Sequence, residues 1–203
     1  MLINDIIVES QIDPGLEKVL TKQGYKLMGA GIDQQAWLEP GTGLIMKIFG
    51  YSHRNRSHKS FFAFAKVCQD EPNNPFLPQI SGWEEFNFKG KRYLKIHMER
   101  LFPLDGDLRE AIEDLVSHTK SNRGINSFID DYLDRHSEWG DKNRLVYGEL
   151  ISLLGEQGIR TLWKTISRLS VIANEQGLVL DLHGGNFMHG SDGQIVISDP
   201  FVV

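Results

Sequence analysis

The sequence holds a single cysteine, Cys68, among 203 residues. No internal disulfide can form, so the fold must be held by its core rather than by covalent staples. Cys68 sits in the apolar run 61–68, where it reads as a small core residue rather than a catalytic thiol. A reducing, cytoplasmic setting is the matching expectation. No stretch approaches the ~18 apolar residues that a membrane-spanning helix requires. The opening residues Met1-Leu2-Ile3-Asn4-Asp5 lack the basic group that starts a secretion signal. No membrane partner is therefore expected. Charge of one sign is not in large excess: 22 Lys and Arg face 27 Asp and Glu, a net −5. That balance provides no electrostatic footprint for nucleic acid. The local exception is His53-Arg54-Asn55-Arg56-Ser57-His58-Lys59, which reads as a solvated loop leading into a helix or as a contact for phosphate or an acidic partner. Internal repeats and low-complexity tracts are also missing.

What remains is ordinary globular usage, 40% apolar and 24% charged, enough for one domain or for one split into two lobes. Asp13-Pro14 is a helix start, and a helix is expected from Pro14 to Gln23. Residues 24–31 read as a strand entering a glycine turn, 35–39 as the returning strand, and 44–49 as a third strand after the turn Pro40-Gly41-Thr42-Gly43. A helix is expected over 57–69. A hairpin follows over 80–99, turning at Lys89-Gly90-Lys91. In its second strand Leu94, Ile96 and Met98 alternate with Lys95 and His97, the pattern of a half-buried strand. Past Pro103 the pattern becomes helical, over roughly 106–119, 125–135, 143–154 and 156–176. In the last of these Ile159, Leu162, Trp163, Ile166, Leu169 and Ile172 fall on one face. The chain closes on Val179-Leu180, a polar loop, and a small hairpin from Phe187 to Ile197. The order is a β-rich front, a helical middle and a short β tail, which points to two lobes jointed near residues 99–104.

The tail carries the chemistry. Asp181-Leu182-His183-Gly184-Gly185-Asn186 is a polar loop between apolar strands, and Asp199 stands thirteen residues after Asn186 at the end of Ile195-Val196-Ile197. A hairpin of that length brings Asp199 back beside Asn186. Two oxygen ligands from adjacent strand ends suit a hard cation such as Mg²⁺. Asp181, on the same loop, is placed to accept a proton from a hydroxyl attacking a phosphate. Asp and Asn in glycine-rich turns are often mere turn formers. A carboxylate after an apolar strand, twice, with an Asn between, favours a site. Lys47 lies inside the apolar strand Leu44–Phe49, where its charge must be paired or must snorkel to water. Gly29-Ala30-Gly31 precedes it by one hairpin, which sets a glycine loop near a fixed cation, an arrangement for holding phosphates.

Together these motifs resemble the protein-kinase superfamily. Gly29-Ala30-Gly31 resembles the glycine-rich loop and Ile45-Met46-Lys47 the third-strand lysine motif. Met98-Glu99-Arg100-Leu101 resembles the hinge, Asp181 to Asn186 the catalytic loop, and Asp199-Pro200-Phe201 stands where Asp-Phe-Gly is expected. The early serine/threonine protein kinases of T-odd bacteriophages are similar in further detail, through Lys26 to Gly31, Asp181 to Met188 and Ile197-Ser198-Asp199-Pro200. The loop Asp-Leu-His-Gly-Gly-Asn is equally similar to that of aminoglycoside-phosphotransferase-like kinases.

The resemblance implies an α+β, bilobal protein-kinase-like fold. A small antiparallel-sheet N-lobe would span 1–98, a hinge 99–104, and a truncated, mainly helical C-lobe 105–203. It implies ATP and Mg²⁺ as cofactors. Gly29, Ala30, Gly31 and Lys47 would bind the phosphates, and Met98, Glu99 and Leu101 the adenine. Asn186 and Asp199 would hold the metal. Asp181 would be the catalytic base, with His183 on the γ-phosphate or bonded within the loop. The implied activity is phosphorylation of serine or threonine in bacterial host proteins, and of the chain itself. A small-molecule kinase and a non-catalytic pseudokinase that occupies a host protein are the alternatives. Departures from the family are also visible. The helix over 57–69 offers no acid facing Lys47, because Asp70 and Glu71 come only at its end. Leu180 stands where an arginine precedes the catalytic Asp. The sequence ends four residues after Asp199, so no activation segment is expected.

Overall fold

The computed structural model describes residues 12–31, 34–51, 57–119 and 141–203. The expected helix over 125–135, the basic residues 53–56 and the tip of the glycine turn at 32–33 lie outside the described residues. The chain is a mixed α+β structure that divides into two compact units, Met1–Pro72 with Pro78–Arg100 and Val203, and Asn73–Leu77 with Leu101–Val202.

The first unit opens with α1 (Pro14–Lys22). The Asp13 carboxylate caps it by accepting the Gly15 N–H at 2.7 Å, and Pro14 takes a first-turn position where no helical N–H is needed. There follow β1 (Lys26–Ala30), β2 (Gln34–Leu38), β3 (Ile45–Gly50), α2 (Ser57–Asp70), β4 (Ile80–Phe88) and β5 (Lys91–Met98). The five strands make one antiparallel sheet in the order β1-β2-β3-β5-β4. The β4–β5 hairpin turns on Lys89 and Gly90, whose φ values of 48° and 78° supply the twist a two-residue turn needs.

Strand β3 is central and covered on both faces. Met46 and Ile48 pack with Trp37, Tyr93 and the α1 residues Leu16 and Leu20. By strand alternation Phe49 faces the other way, where its ring stacks on Phe61 of α2 at 5.0 Å. Helix α1 therefore covers one face of the sheet and α2 the other. The buried amide of Gln35 is satisfied on both sides, donating to Glu17 of α1 and accepting the indole N–H of Trp37 at 3.1 Å. Cys68 is buried in α2, and that burial pushes its thiol far up from its ordinary pKa. It is the core residue its neighbours imply.

The second unit contains β6 (Phe102–Pro103), α3 (Gly106–Thr119), α4 (Asp141–Gln176), β7 (Val179–Leu180), a 3₁₀ turn (Gly184–Asn186), β8 (Phe187–His189), β9 (Ile195–Ile197) and β10 (Phe201–Val202). Helix α4 joins the two expected helices, and Gly155 breaks the path between them at φ 61°, ψ 174°, a conformation open essentially to glycine alone. Ile159, Leu162, Ile166 and Leu169 are buried along the expected face, while Trp163 and Ile172 flank it half-buried. Helix α3 packs against α4 and buries Leu108, Ala111, Ile112 and Leu115. Strands β6, β8 and β9 form a three-stranded sheet, and β7 pairs with β10.

Three details depart from the sequence reading. Residues 73–77, expected in the front lobe, belong to the second unit. Asn74 Nδ2 donates to Thr165 Oγ1 at 3.0 Å, and Ile197 N–H donates to the Phe76 carbonyl at 2.9 Å. The joint 99–104 is not a plain connection, because Phe102 and Pro103 pair with His189 and Met188. Gly29 and Ala30 are strand residues paired with Ala36 and Gln35, so the glycine turn starts only at Gly31. Among the described residues no helix is long and apolar enough to cross a membrane.

Two measurements check this architecture. Leu162 is fully buried and Val171, on the same helix, is 55% exposed. Leu162→Ala should cost about 3 kcal/mol in urea unfolding, and Val171→Ala under about 0.5 kcal/mol. The Gly15 N–H, and secondarily Lys89, holds the Asp13 carboxyl below its ordinary 3.8. A depressed folded-state pKa stabilises above the unfolded value and is lost as pH falls through the folded one. The stability difference between wild type and Asp13→Ala should therefore be constant above about pH 4.5 and shrink steadily below 3.8.

Candidate functional site

In the first unit Lys47 lies at the middle of β3, paired with Ala36 of β2 and Ile96 of β5. It is the one half-buried residue in a strand otherwise buried throughout. Its ammonium stands 4.0 Å from the ring centroid of Phe61 on α2. The sequence reading looked along that helix for an acid. The structure sets an aromatic face there, and nothing in the periodicity distinguishes Phe61 from its neighbours Phe62 and Phe64. Between β1 and β2, Gly31 donates its N–H to the Gln34 carbonyl at 2.8 Å. Met98 is buried, paired with Ile45 and Ile80. The Glu99 N–H donates to the Gln79 carbonyl at 2.9 Å, so an adenine contact through Glu99 falls to its carbonyl oxygen. Leu101, the third expected adenine-binding residue, is half-buried at the start of the second unit.

In the second unit the expected tail residues come together. Strand β9 is fully buried, and Phe187 pairs with Ile197 at the start of the β8–β9 hairpin. Ser198, just past that strand, donates its N–H to the Asn186 carbonyl at 2.8 Å and its hydroxyl to the same oxygen at 3.2 Å. The Asp181 N–H donates to the Pro200 carbonyl at 2.8 Å as β7 and β10 meet. Asp199 is thus held between two backbone bonds, one reaching Asn186 and one reaching Asp181. Asn186 Nδ2 donates to the Asp181 carbonyl at 2.6 Å. With the amide N–H₂ so engaged, the side-chain oxygen is the group Asn186 offers to a cation. Ser198 is the residue here that sequence reasoning missed, since a serine between Ile197 and Asp199 carries no signal.

His183 is half exposed. Its Nδ1 accepts the Gly185 N–H at 3.1 Å, which leaves the ring proton on Nε2. That Nε2 lies 3.9 Å from Asp181 Oδ2, an ion-pair distance should the ring charge, too long for a hydrogen bond. Gly184 has a packing reason to be glycine. A Cβ there would meet the Arg109 carbonyl oxygen at 3.0 Å and Glu113 Oε2 at 2.8 Å, so α3 lies hard against the loop. Arg109 and Glu113 were not singled out from the sequence, where they look like a solvated helix face.

The expected cation ligands, Asn186 and Asp199, bring one amide oxygen and one carboxylate, the donors that suit a hard cation. Among the described residues no group of three or more His, Cys, Asp or Glu side chains forms a metal cluster. Each unit contains a cavity among its described residues. One of about 340 Å³ in the first is walled by Tyr51, Phe62, Trp83 and Arg92. One of about 530 Å³ in the second lies among Phe76, Leu154, Gly158 and Gln194. Neither is lined by the residues above. The close approach of α3 yields a test: Gly184→Ala should destabilise the protein by about 1–3 kcal/mol. Gly82→Ala, where a Cβ meets nothing within 4 Å, should change stability by under about 1 kcal/mol. No protein-family model matches the chain, and no curated protein matches it.

Proposed function

We propose that the chain is an Mg·ATP-dependent phosphotransferase of protein-kinase-like fold that phosphorylates serine or threonine in a protein substrate. The observation that carries this reading is the convergence of Asp181, Asn186 and Asp199 through the backbone bonds of Ser198 and Asp181. In this reading the sheet unit is the nucleotide-binding lobe and the helical unit the catalytic lobe, in the cytoplasm of a bacterial host.

The roles follow from the charge that phosphoryl transfer spreads over the phosphate oxygens. Asn186 and Asp199 would hold Mg²⁺, and their all-oxygen donors fit that ion. The bound ion supplies charge neutralisation on the phosphate oxygens. Lys47 would bind the α- and β-phosphates, and the glycine turn around Gly29, Ala30 and Gly31 would lie over them. Asp181 would orient the acceptor hydroxyl and take its proton. His183, with its proton on Nε2, could donate to a phosphate oxygen. Met98 would wall the adenine, and the backbone of Glu99 and Leu101 would bind its edge.

A second reading is a pseudokinase that acts by occupying a partner. Incubation with γ-labelled ATP and Mg²⁺ separates the possibilities. The proposal expects label on protein, including the chain itself, while label on a small metabolite would identify a small-molecule kinase. Asp199→Ala should abolish transfer with an unchanged circular dichroism spectrum, and Asp181→Asn should slow it about a thousand-fold. Full transfer by Asp199→Ala sinks the metal assignment. Full biological effect from an inert Asp181→Asn chain supports the pseudokinase.

A further inference from the structure

We propose that Arg109 sets acceptor specificity, holding an acidic side chain of the protein substrate beside the hydroxyl that Asp181 receives. The proposal rests on the phosphotransferase reading of the loop that begins at Asp181.

Arg109 stands at the start of α3, where its neighbours Leu108, Ala111 and Ile112 are buried and Arg109 itself is exposed. The helix packs on the 3₁₀ turn Gly184–Asn186. A Cβ on Gly184 would meet Arg109 Cγ at 2.8 Å, and one on Gly185 would meet Nη2 at 3.3 Å. Neither glycine has a positive φ, so the backbone at both is open to any residue. What the two bare Cα atoms provide is room, and the arginine stem and guanidinium occupy it. The Gly185 Cβ position also lies 3.0 Å from His183 Nδ1, while His183 Nε2 lies 3.9 Å from Asp181 Oδ2. The imidazole thus links the two groups, with Asp181 towards its Nε2 and Arg109 at the Gly185 corner by its Nδ1. Among the described residues no oxygen bonds to the guanidinium. Glu113, one turn further along α3, lies against Gly184, with Oε2 2.8 Å from that Cβ position. An exposed guanidinium with its donors open, seated against this loop, is a binding group for an anion. The nucleotide phosphates are assigned to Lys47, Asn186 and Asp199, and the Asp181 side of the loop is the acceptor's. An extended peptide advances ~3.3 Å per residue, so a carboxylate about one to three residues from the accepting hydroxyl reaches Arg109. The planar fork takes a carboxylate by two parallel bonds, which an amide of the same shape cannot match.

The test offers the full chain, with Mg·ATP, a set of alanine-rich peptides. Each has one central serine and a single aspartate, asparagine or lysine near it on one side or the other. The wild type should prefer aspartate over asparagine about tenfold in kcat/KM at one of those positions. Arg109→Gln should bring that ratio to about one, and Arg109→Lys should keep part of it. Arg109→Glu should turn the preference towards lysine. An arginine that only braces the loop would slow every peptide alike and leave the ratio where it was. A wild type without the preference, or a ratio unmoved by Arg109→Gln, overturns the proposal. A ratio unmoved while KM for Mg·ATP rises overturns it too, and moves Arg109 to the nucleotide. Loss of all transfer in both Arg109→Gln and Arg109→Lys makes the residue structural or catalytic, and also overturns the specificity role. If no peptide is labelled while protein is, the proposal fails and the phosphotransferase reading stands. If neither peptide nor protein is labelled, the phosphotransferase reading itself fails.

Discussion

The second unit depends on a short buried strand with a backbone bond at each of its ends. Ile195, Val196 and Ile197 are almost wholly removed from water on both faces of β9, so a slip by one residue would draw the exposed Gln194 into the buried run. Ile197 is pinned on one side to Phe187 and on the other to the Phe76 carbonyl. Everything polar nearby inherits that fixity. Past the buried strand, Ser198 bonds to Asn186 and Pro200 to Asp181. The side chains that need a set geometry are therefore placed by apolar burial and main-chain bonds.

Lys47 poses the opposite problem. Its strand is buried to either side, and taking an ammonium out of water is costly. Two features reduce the cost. The residue is only half-buried, so its long stem can lie against the sheet with the head near water. The Phe61 ring face offers an attraction of order 1–2 kcal/mol. Neither feature needs an acid on α2, and the described part of that helix contains none before Asp70.

Much of this was legible in the residues, for physical reasons. Long elements with clear periods, such as β3, β5 and the 159–173 face of α4, follow directly from apolar spacing. The α1 start follows from Asp13-Pro14, and the tight β4–β5 turn from Lys89-Gly90. The meeting of Asn186 with Asp199 was legible because hairpin length fixes where a chain returns. What was not legible came from contacts between distant segments. The docking of 73–77 onto α4 depends on an Asn74–Thr165 bond across 91 positions. The two-residue strand β6 is too short for any pattern. Arg109 and Glu113 matter only because Gly184 lets α3 come close, and the helix sequence alone cannot show that.

Phe61 illustrates why the search for chemistry by residue type has a limit. A scan for a lysine's partner looks for the opposite charge, since Coulomb attraction is the obvious compensation. In a half-buried site the alternatives are not equivalent. A carboxylate near a partly desolvated ammonium must itself be desolvated, and its support disappears on protonation. An aromatic ring has nothing to titrate and already belongs to the core by its own apolar surface. Its interaction with the cation therefore adds to burial that is favourable anyway, where a carboxylate's would be set against a penalty. On α2, where Phe61, Phe64 and Val67 already face the core, a ring is the support that the helix can provide at least cost. The same helix with an acid at position 61 would have to give up the Phe49 stack that locks it to the sheet.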